Sequence, residues 1–406
     1  MDTSNILDVK KDVQWIGVLD KEIVTFDIVM ETKLGTTYNS YFINADKKAI
    51  IETVKETFKD EYITKIKKLI DPSKIDYIIC NHTEPDHSGS MKHLLNIAPR
   101  ATVVGSGQAI SYLSEMISVP FKSLKVKDGD VIDLGNKKLK VIGAPNLHWP
   151  DSIYTYLVED KILFTCDSFG AHYCNDAMYD DLAGEYDEAF KYYFDVILKP
   201  YSKFLLKAIE KIKPLEIDAI CTGHGPILRS TWKQKVLLSE KLANEYLEKL
   251  RHKNKRILVA YISAYGYTGE MAKKIVEGIN LNKGIEIDLV DIENISLGDL
   301  DEKLVLCDGI LIGSPTINQN TLLPIYKMFA IISPLRDKGK LAASFGSYGW
   351  SGEAVNLIES HLKNLKLKIF HEGMAVKFFP NNNEENQFVE FGRKFGEELL
   401  KTEISN

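Results

Sequence analysis

The stretch His82-Thr83-Glu84-Pro85-Asp86-His87 places two imidazoles and two carboxylates directly after the apolar run Tyr77-Ile78-Ile79-Cys80. Buried ionisable groups are costly unless a bound cation turns them into ligands. The grouping therefore predicts a metal site at the exit of a buried strand; the competing reading is a solvated polar loop. Three further apolar runs stop at a possible ligand. Lys140–Ala144 leads through Pro145-Asn146-Leu147 to His148, Ile162–Cys166 ends at Asp167, and Ile217–Cys221 leads through Thr222-Gly223 to His224. A lone histidine after a strand is more often an ordinary core or surface residue. Four strand ends converging on one chemistry are poorly explained that way. Glycine and proline at Gly143, Pro145, Gly223, Gly225 and Pro226 permit turns that bring backbone close to a common point.

The donors are then His82, Glu84, Asp86, His87, His148, Asp167 and His224. They are too many for one four-coordinate ion and suit two, with one carboxylate bridging. A mixed nitrogen and oxygen shell with open positions favours iron or manganese over a structural zinc, although ligand softness leaves iron and zinc both open. No thiolate is clearly implicated.

The elements that position these residues follow from length and pattern. A chain of 406 residues can form two domains, each with its own core. Residues 1–250 alternate short strands and helices and close with an amphipathic helix over about Thr231 to Leu250. The basic stretch Arg251–Arg256 reads as an exposed linker, and residues 257–406 form the second domain. The net charge of −6 forces no basic face and argues against a nucleic-acid partner. The lysines from Lys65 to Lys68 read as the solvated side of a helix. The five cysteines are isolated, with no C-x-x-C pair, so the chain carries no rubredoxin-like or iron–sulfur module. No charged-then-apolar leader opens the chain, and no run approaches about 18 apolar residues, so a cytoplasmic protein with no membrane segment is expected.

After the linker, five apolar runs appear in turn: Ile257–Ile262, Ile285–Asp291, Gly309–Ser314, Leu341–Ser344 and Lys368–Val376. Helix-forming stretches such as Thr268–Ile279 and Gly352–Lys363 separate them, which implies a doubly wound parallel sheet. A ligand then sits beyond the carboxyl ends of the strands. Ser263, Tyr265, Gly266, Tyr267 and Thr268 follow the first strand and open a helix, an arrangement suited to a phosphate held by neutral donors. Pro315, Thr316, Ile317 and Asn318 follow the third strand and offer backbone and amide groups. Ser347, Tyr348, Gly349, Trp350, Ser351 and Gly352 follow the fourth and supply aromatic plates. Phosphate loop, polar edge and stacking surface together describe a pocket for flavin mononucleotide (FMN).

With these residues in view, the chain resembles the flavodiiron proteins (A-type flavoproteins) over essentially its whole length. The resemblance implies an α/β protein: an N-terminal metallo-β-lactamase-like αββα sandwich, then a flavodoxin-like, five-stranded, doubly wound parallel sheet. Hydrolases of that superfamily usually carry H-x-H-x-D-H, and here Glu84 replaces the middle histidine, a mark of the diiron reductases. The family pattern implies that His82, Glu84 and His148 hold the iron nearer the flavin and Asp86, His87 and His224 the farther one, with Asp167 bridging. It implies that a head-to-tail homodimer, or a dimer of dimers, carries the flavin of one subunit to the iron pair of the other, on the side of Glu84 and Trp149. Tyr193 resembles a tyrosine near the iron pocket of relatives, and a plain core role stays open for it. His172 could orient a ligand or serve the core. Asp27 stands where many relatives carry a histidine beside the substrate pocket, which leaves the preference between dioxygen and nitric oxide open. Tyr267 replaces a small polar residue of the phosphate loop, with little effect expected because the backbone does most of the binding there.

The implied activity is reduction of dioxygen to water, with nitric oxide as a possible second substrate. The four electrons needed match two from a ferrous pair and two from a reduced flavin. The implied donor is a separate rubredoxin, or reduced coenzyme F420. Two other classes compete. One is a dinuclear metallohydrolase with a regulatory flavodoxin domain, against which Glu84 counts. The other is an electron carrier with a structural metal, against which the open seven-donor set counts.

Overall fold

The structure is a computed structural model that describes residues 6–26, 30–251, 253–378 and 382–402. Asp27 lies outside the described residues. Two compact units divide the chain, residues 1–247 and 248–406.

The first unit is built on two sheets. In spatial order the larger comprises Leu7–Lys10, Val13–Trp15, Tyr41–Asn44, Lys48–Ile51, Ile75–Ile79, Thr102–Ser106 and Lys122–Val126. The smaller runs Val131–Asp133, Lys138–Gly143, Ile153–Leu157, Ile162–Cys166 and Ala219–Thr222. Alternate residues of each strand face opposite ways. Trp15, Ile43, Ile79 and Val104 of one sheet meet Leu139, Val141, Phe164 and Cys221 of the other in a shared core. The intervening residues, among them Ile50, Ile78, Leu163 and Ile220, belong to a second core with residues of the helices. Helix Ser202–Ile212 shows why it docks: Leu205, Ala208, Ile209 and Ile212 are buried at spacings of three and four, one apolar stripe. The result is the expected αββα sandwich.

Lys65 departs from the solvated reading. Lys67 and Lys68 are exposed, but Lys65 is buried, donating to the Gly17 carbonyl at 2.6 Å and pairing with Glu61 at 2.9 Å. Its ammonium lies 5.0 Å from the centre of the Trp15 ring. Those partners reward burial of a cation that helical periodicity assigns to water.

In the second unit the strands Lys255–Tyr261, Ile285–Asp291, Gly309–Gly313, Leu341–Tyr348 and a split fifth strand are all parallel, in the order 2-1-3-4-5. The fifth is broken into Lys368–Ile369 and Met374–Lys377, which both pair with the fourth. That pairing extends the fourth strand to Tyr348, so Ser347 and Tyr348 close a strand and do not belong to the loop after it. The linker is also shorter than the sequence suggests. Lys255 and Arg256 belong to the first strand, where Lys255 N–H bonds the Gly284 carbonyl and Arg256 N–H bonds Asp308. His252 lies outside the described residues.

Candidate functional site

Four strand ends of the sandwich deliver the metal-binding side chains. Strand Ile75–Ile79 leads into the turn that carries His82 and Glu84 and the short helix Pro85–Ser88 with Asp86 and His87. Lys138–Gly143 leads to His148, Ile162–Cys166 to Asp167, and Ala219–Thr222 to His224. All seven come together in two sets that share one carboxylate. Oδ2 of Asp167 faces His82 Nε2 at 3.5 Å and His148 Nε2 at 3.4 Å, and Glu84 Oε2 lies 3.1 Å and 2.8 Å from the same two nitrogens. Oδ1 of Asp167 faces His87 Nε2 at 3.0 Å and His224 Nε2 at 3.6 Å. Asp86 Oδ2 lies 3.3 Å and 3.0 Å from those nitrogens.

These separations test the fit to metal. Ligands about 2.1 Å from a common ion sit about 3.0 to 3.4 Å from each other, depending on geometry. The observed edges fall around that range. Among the described residues both oxygens of Asp86, both of Asp167 and Nε2 of His87 are buried without a hydrogen-bond partner, a costly state that cations resolve. The donor set therefore fits two ions bridged by Asp167.

The charges respond to one another. Burial opposes the charged form of His82, yet the carboxylates of Asp151, Glu84 and Asp167 raise its pKa well above the ordinary value. Burial likewise opposes charge on His148, and Asp167 and Glu84 raise it to about 9. Burial alone would raise the Asp167 carboxyl, but His87, His148 and His82 hold it well below the usual range. Glu84 and His148 are the most exposed ligands, with side chains 13% and 16% accessible.

Three of the four ligand imidazoles are steered from behind. His82 Nδ1 lies 3.4 Å from Asp151 Oδ1, while Asp151 Oδ2 accepts Thr83 N–H and Oγ1–H, both at 2.8 Å. His224 Nδ1 donates to the Thr37 carbonyl at 2.6 Å. His87 Nδ1 contacts Cys166 Sγ at 3.5 Å. Glu52, held at a φ of 59°, accepts Asn81 N–H at 2.7 Å and so fixes the start of the His82 turn. None of Asp151, Thr37, Glu52 or Cys166 stood out as a site residue in the sequence. Only Asp151 carried a signal, an acid three residues after His148.

His172 is buried against the site, with ring centres 4.4 Å from Phe26, 4.8 Å from Tyr193 and 5.2 Å from His224. Its Nδ1 pairs with Thr36 Oγ1 at 2.9 Å, so it touches His224 by ring contact and not by a hydrogen bond. Burial, then His224, lower its pKa to about 3, which keeps it neutral. Burial raises the Tyr193 phenol well above its usual value. Trp149, half-buried, meets the His82 ring edge-on at 5.3 Å.

In the second unit a cavity of about 620 Å³ opens at the strand ends, lined by Tyr265 and Tyr267, Pro315–Ile317 and Ser347–Trp350. Ser263 Oγ accepts Gly269 N–H at 3.2 Å, and Thr268 Oγ1 bonds Ser347 Oγ at 2.9 Å, which ties the first loop to the fourth strand. Gly266, with φ at 87°, caps the helix Tyr267–Ile279 whose N–H groups face the loop. Thr316 Oγ1 accepts Ala354 N–H at 3.2 Å. Tyr265 and Trp350 stand 80% and 78% exposed, free to cover a planar ring. Ser263, Gly266, Thr268, Asn318, Ser351 and Gly352 stand next to these residues in the loops but are not part of the lining. Lys377 and Phe378, unnoticed in the sequence, line the cavity from the split fifth strand. The loops supply neutral donors for a phosphate and aromatic faces for an isoalloxazine, so the pocket fits FMN.

Comparison with known proteins gives the same two parts. A family model described as ODP family beta lactamase matches residues 36–225, and one described as flavodoxin matches residues 259–392. Flavo-diiron protein FprA2 of Clostridium acetobutylicum is 40% identical over 96% of this chain and 99% of its own length. Type A flavoprotein fprA of Rhodobacter capsulatus is 36% identical over 95% of this chain and 90% of its own length. The crystal structure of the flavodiiron protein from Giardia intestinalis aligns with a TM-score of 0.63 at 29% identity, covering 97% of each chain. Rubredoxin oxygen:oxidoreductase from Desulfovibrio gigas, 24% identical with a TM-score of 0.67 over 97% of this chain and 98% of its own, shares the fold.

Proposed function

The chain belongs to the flavodiiron (A-type) flavoproteins, oxidoreductases with FMN and a non-haem iron pair, and from that premise we propose that it reduces dioxygen to water. Nitric oxide is the second substrate of this reading. The observation that carries it is Asp167, whose two oxygens address separate sets of three donors, as a bridged pair of ions requires. Bound FMN and iron supply the electrons, two from the flavin and two from the metals, for a four-electron reduction.

The remaining work falls to the chain's own side chains. His82, Glu84 and His148 form the set nearer the surface, and Asp86, His87 and His224 the deeper one. Burial of the deeper set excludes bulk water and strengthens the hold of carboxylate on cation. Tyr193 keeps its phenolic proton beside His172 and His224, in the role of a hydrogen-bond donor toward the bound gas. His172, neutral, presents Nε2, which has no hydrogen-bond partner among the described residues. Ser263–Thr268 anchor the flavin phosphate, and Tyr265 and Trp350 cover its ring.

The electron donor is a separate protein, rubredoxin, since the five cysteines form no C-x-x-C pair; reduced F420 is the alternative donor. The working assembly is a homodimer, or a dimer of dimers, in which Trp149 beside His82 meets the partner subunit's flavin, and the protein acts in the cytoplasm. No helix among the described residues is long and apolar enough to cross a membrane.

The test is anaerobic reduction of the purified protein, then measurement of dioxygen and nitric oxide consumption, with iron and flavin counted on the same sample. Two irons and one FMN per chain with rapid dioxygen loss and little peroxide support the reading. Zinc with no gas consumed refutes it and points to a hydrolase.

A further inference from the structure

The turn that carries His224 is gripped by a segment from a distant part of the chain. Thr37 accepts His224 Nδ1–H on its carbonyl at 2.6 Å and Gly225 N–H on Oγ1 at 2.8 Å. Asn39 N–H donates to the Gly223 carbonyl at 2.9 Å, and its amide Nδ2 donates to the carbonyls of Thr222 at 2.9 Å and Gly225 at 3.0 Å. Tyr41 Oη donates to the Thr222 carbonyl at 2.8 Å. The Asn39 side chain is in turn fixed from behind, because Trp15 Nε1–H donates to Asn39 Oδ1 at 2.9 Å. Trp15 itself is fully buried, with the Lys65 ammonium over its ring.

That side chain leaves no freedom for the turn. One amide satisfies two carbonyls that flank His224, and the indole dictates which end of the amide points at them. The turn has little slack of its own: Gly225 is held at a φ of 75°, and a Cβ there would lie 2.7 Å from the Ala171 carbonyl oxygen. No comparable link runs from Trp15 or Asn39 to His82, Glu84 or His148 among the described residues.

We infer that the Trp15–Asn39 pair is a positioning unit for the metal held by Asp86, His87 and His224, and that it sets the affinity of that half of the centre selectively. The inference rests on His224 being a metal ligand. Direct partners of ligating histidines are worth about 10–100-fold in metal affinity; Asn39 acts one step further out, on the backbone that carries His224, so the lower end of that range applies. Asn39→Asp keeps the shape but turns a donor against two carbonyls into an acceptor, and Trp15→Phe keeps the ring but removes the N–H that orients the amide.

The test is anaerobic titration of metal-free full-length Asn39→Asp, Trp15→Phe and His224→Ala proteins with cobalt(II), read by visible absorption and equilibrium dialysis. Circular dichroism and flavin content control for folding. The expected result is one cobalt bound as in the parent chain and one bound at least about tenfold more weakly in both outer variants. Two unchanged sites, or equal weakening of both sites in the folded Trp15→Phe protein, would overturn the inference. His224→Ala separates the two levels: if it still binds two cobalt ions with parental affinity, the ligand assignment itself fails. Should Asn39→Asp not fold, Trp15→Phe alone decides.

Discussion

Substitution of Asp151 by asparagine isolates the other half of the centre. Asp151 is fully buried: its Oδ2 accepts two Thr83 hydrogen bonds at 2.8 Å, and its Oδ1 faces His82 Nδ1 at 3.4 Å as an ion-pair contact, not a hydrogen bond. An asparagine has a single acceptor oxygen. If that oxygen keeps both Thr83 bonds, the NH2 group faces His82 Nδ1 and can only donate to it. His82 must then carry its proton on Nε2, the atom aimed at Glu84 at 3.1 Å and Asp167 at 3.5 Å. An incoming metal has to displace that proton or turn the amide and break the Thr83 bonds. Such a partner accounts for about 10–100-fold in affinity, or about 1.4–2.8 kcal/mol at about 1.4 kcal/mol per tenfold. The assay is anaerobic titration of metal-free Asp151→Asn protein with iron(II) in the presence of a competing chelator. One of the two binding steps falls by that factor and the other stays parental. No change in either step, or an equal fall in both, refutes the role given to Asp151.

Trp350→Ala removes one of the two most exposed aromatic plates of the flavin pocket and should weaken FMN by about 1–3 kcal/mol, by analogy with base stacking; flavin fluorescence on dilution measures it, and an unchanged dissociation constant counts against stacking. Gly225→Ala places a Cβ 2.7 Å from the Ala171 carbonyl oxygen at a φ of 75° and should cost about 1–3 kcal/mol of stability, seen as a lower urea midpoint; a midpoint equal to the parent's would mean the turn relaxes freely. In the metal-free protein the His148 pKa is raised from 6.5 to about 9, so its proton stabilises the fold fully below 6.5 and that share is lost as pH climbs through about 9. Thermal melts of metal-free protein should therefore fall over that window, and His148→Gln should remove that share of the fall; an identical slope in the variant argues against it.

The ligands were legible because each ends a dense apolar run, and strand ends are where a sandwich brings distant residues together. Asp167 illustrates the limit of that reading: the sequence required some carboxylate to bridge, but which oxygen serves which set depends on the backbone at Cys166, held at a φ of 48°. The supports were not legible. Asn39 and Thr222 stand 183 positions apart, and nothing in the polar run Thr36–Asn39 announces a partner. Lys65 and Lys255 were assigned to water because a lysine is normally exposed, whereas Trp15, Gly17 and Asp308 provide for them. The FMN loops were placed by strand order, yet Lys377 and Phe378 were hidden by the break in the fifth strand.

Both layers of the first unit supply ligands. His82, Glu84, Asp86 and His87 leave the larger sheet, while His148, Asp167 and His224 leave the smaller, and each metal set draws on both. Neither sheet completes a set alone. Iron is therefore a cross-brace between the two leaves, and a complete set of ligands exists only once they have closed. The same bracing acts in reverse: each ion withdrawn removes one tie between the leaves, at the buried strand ends where His82 and His224 sit. The two leaves already share an apolar core, so the ions add a tie at the strand ends to a sandwich that packing holds closed elsewhere.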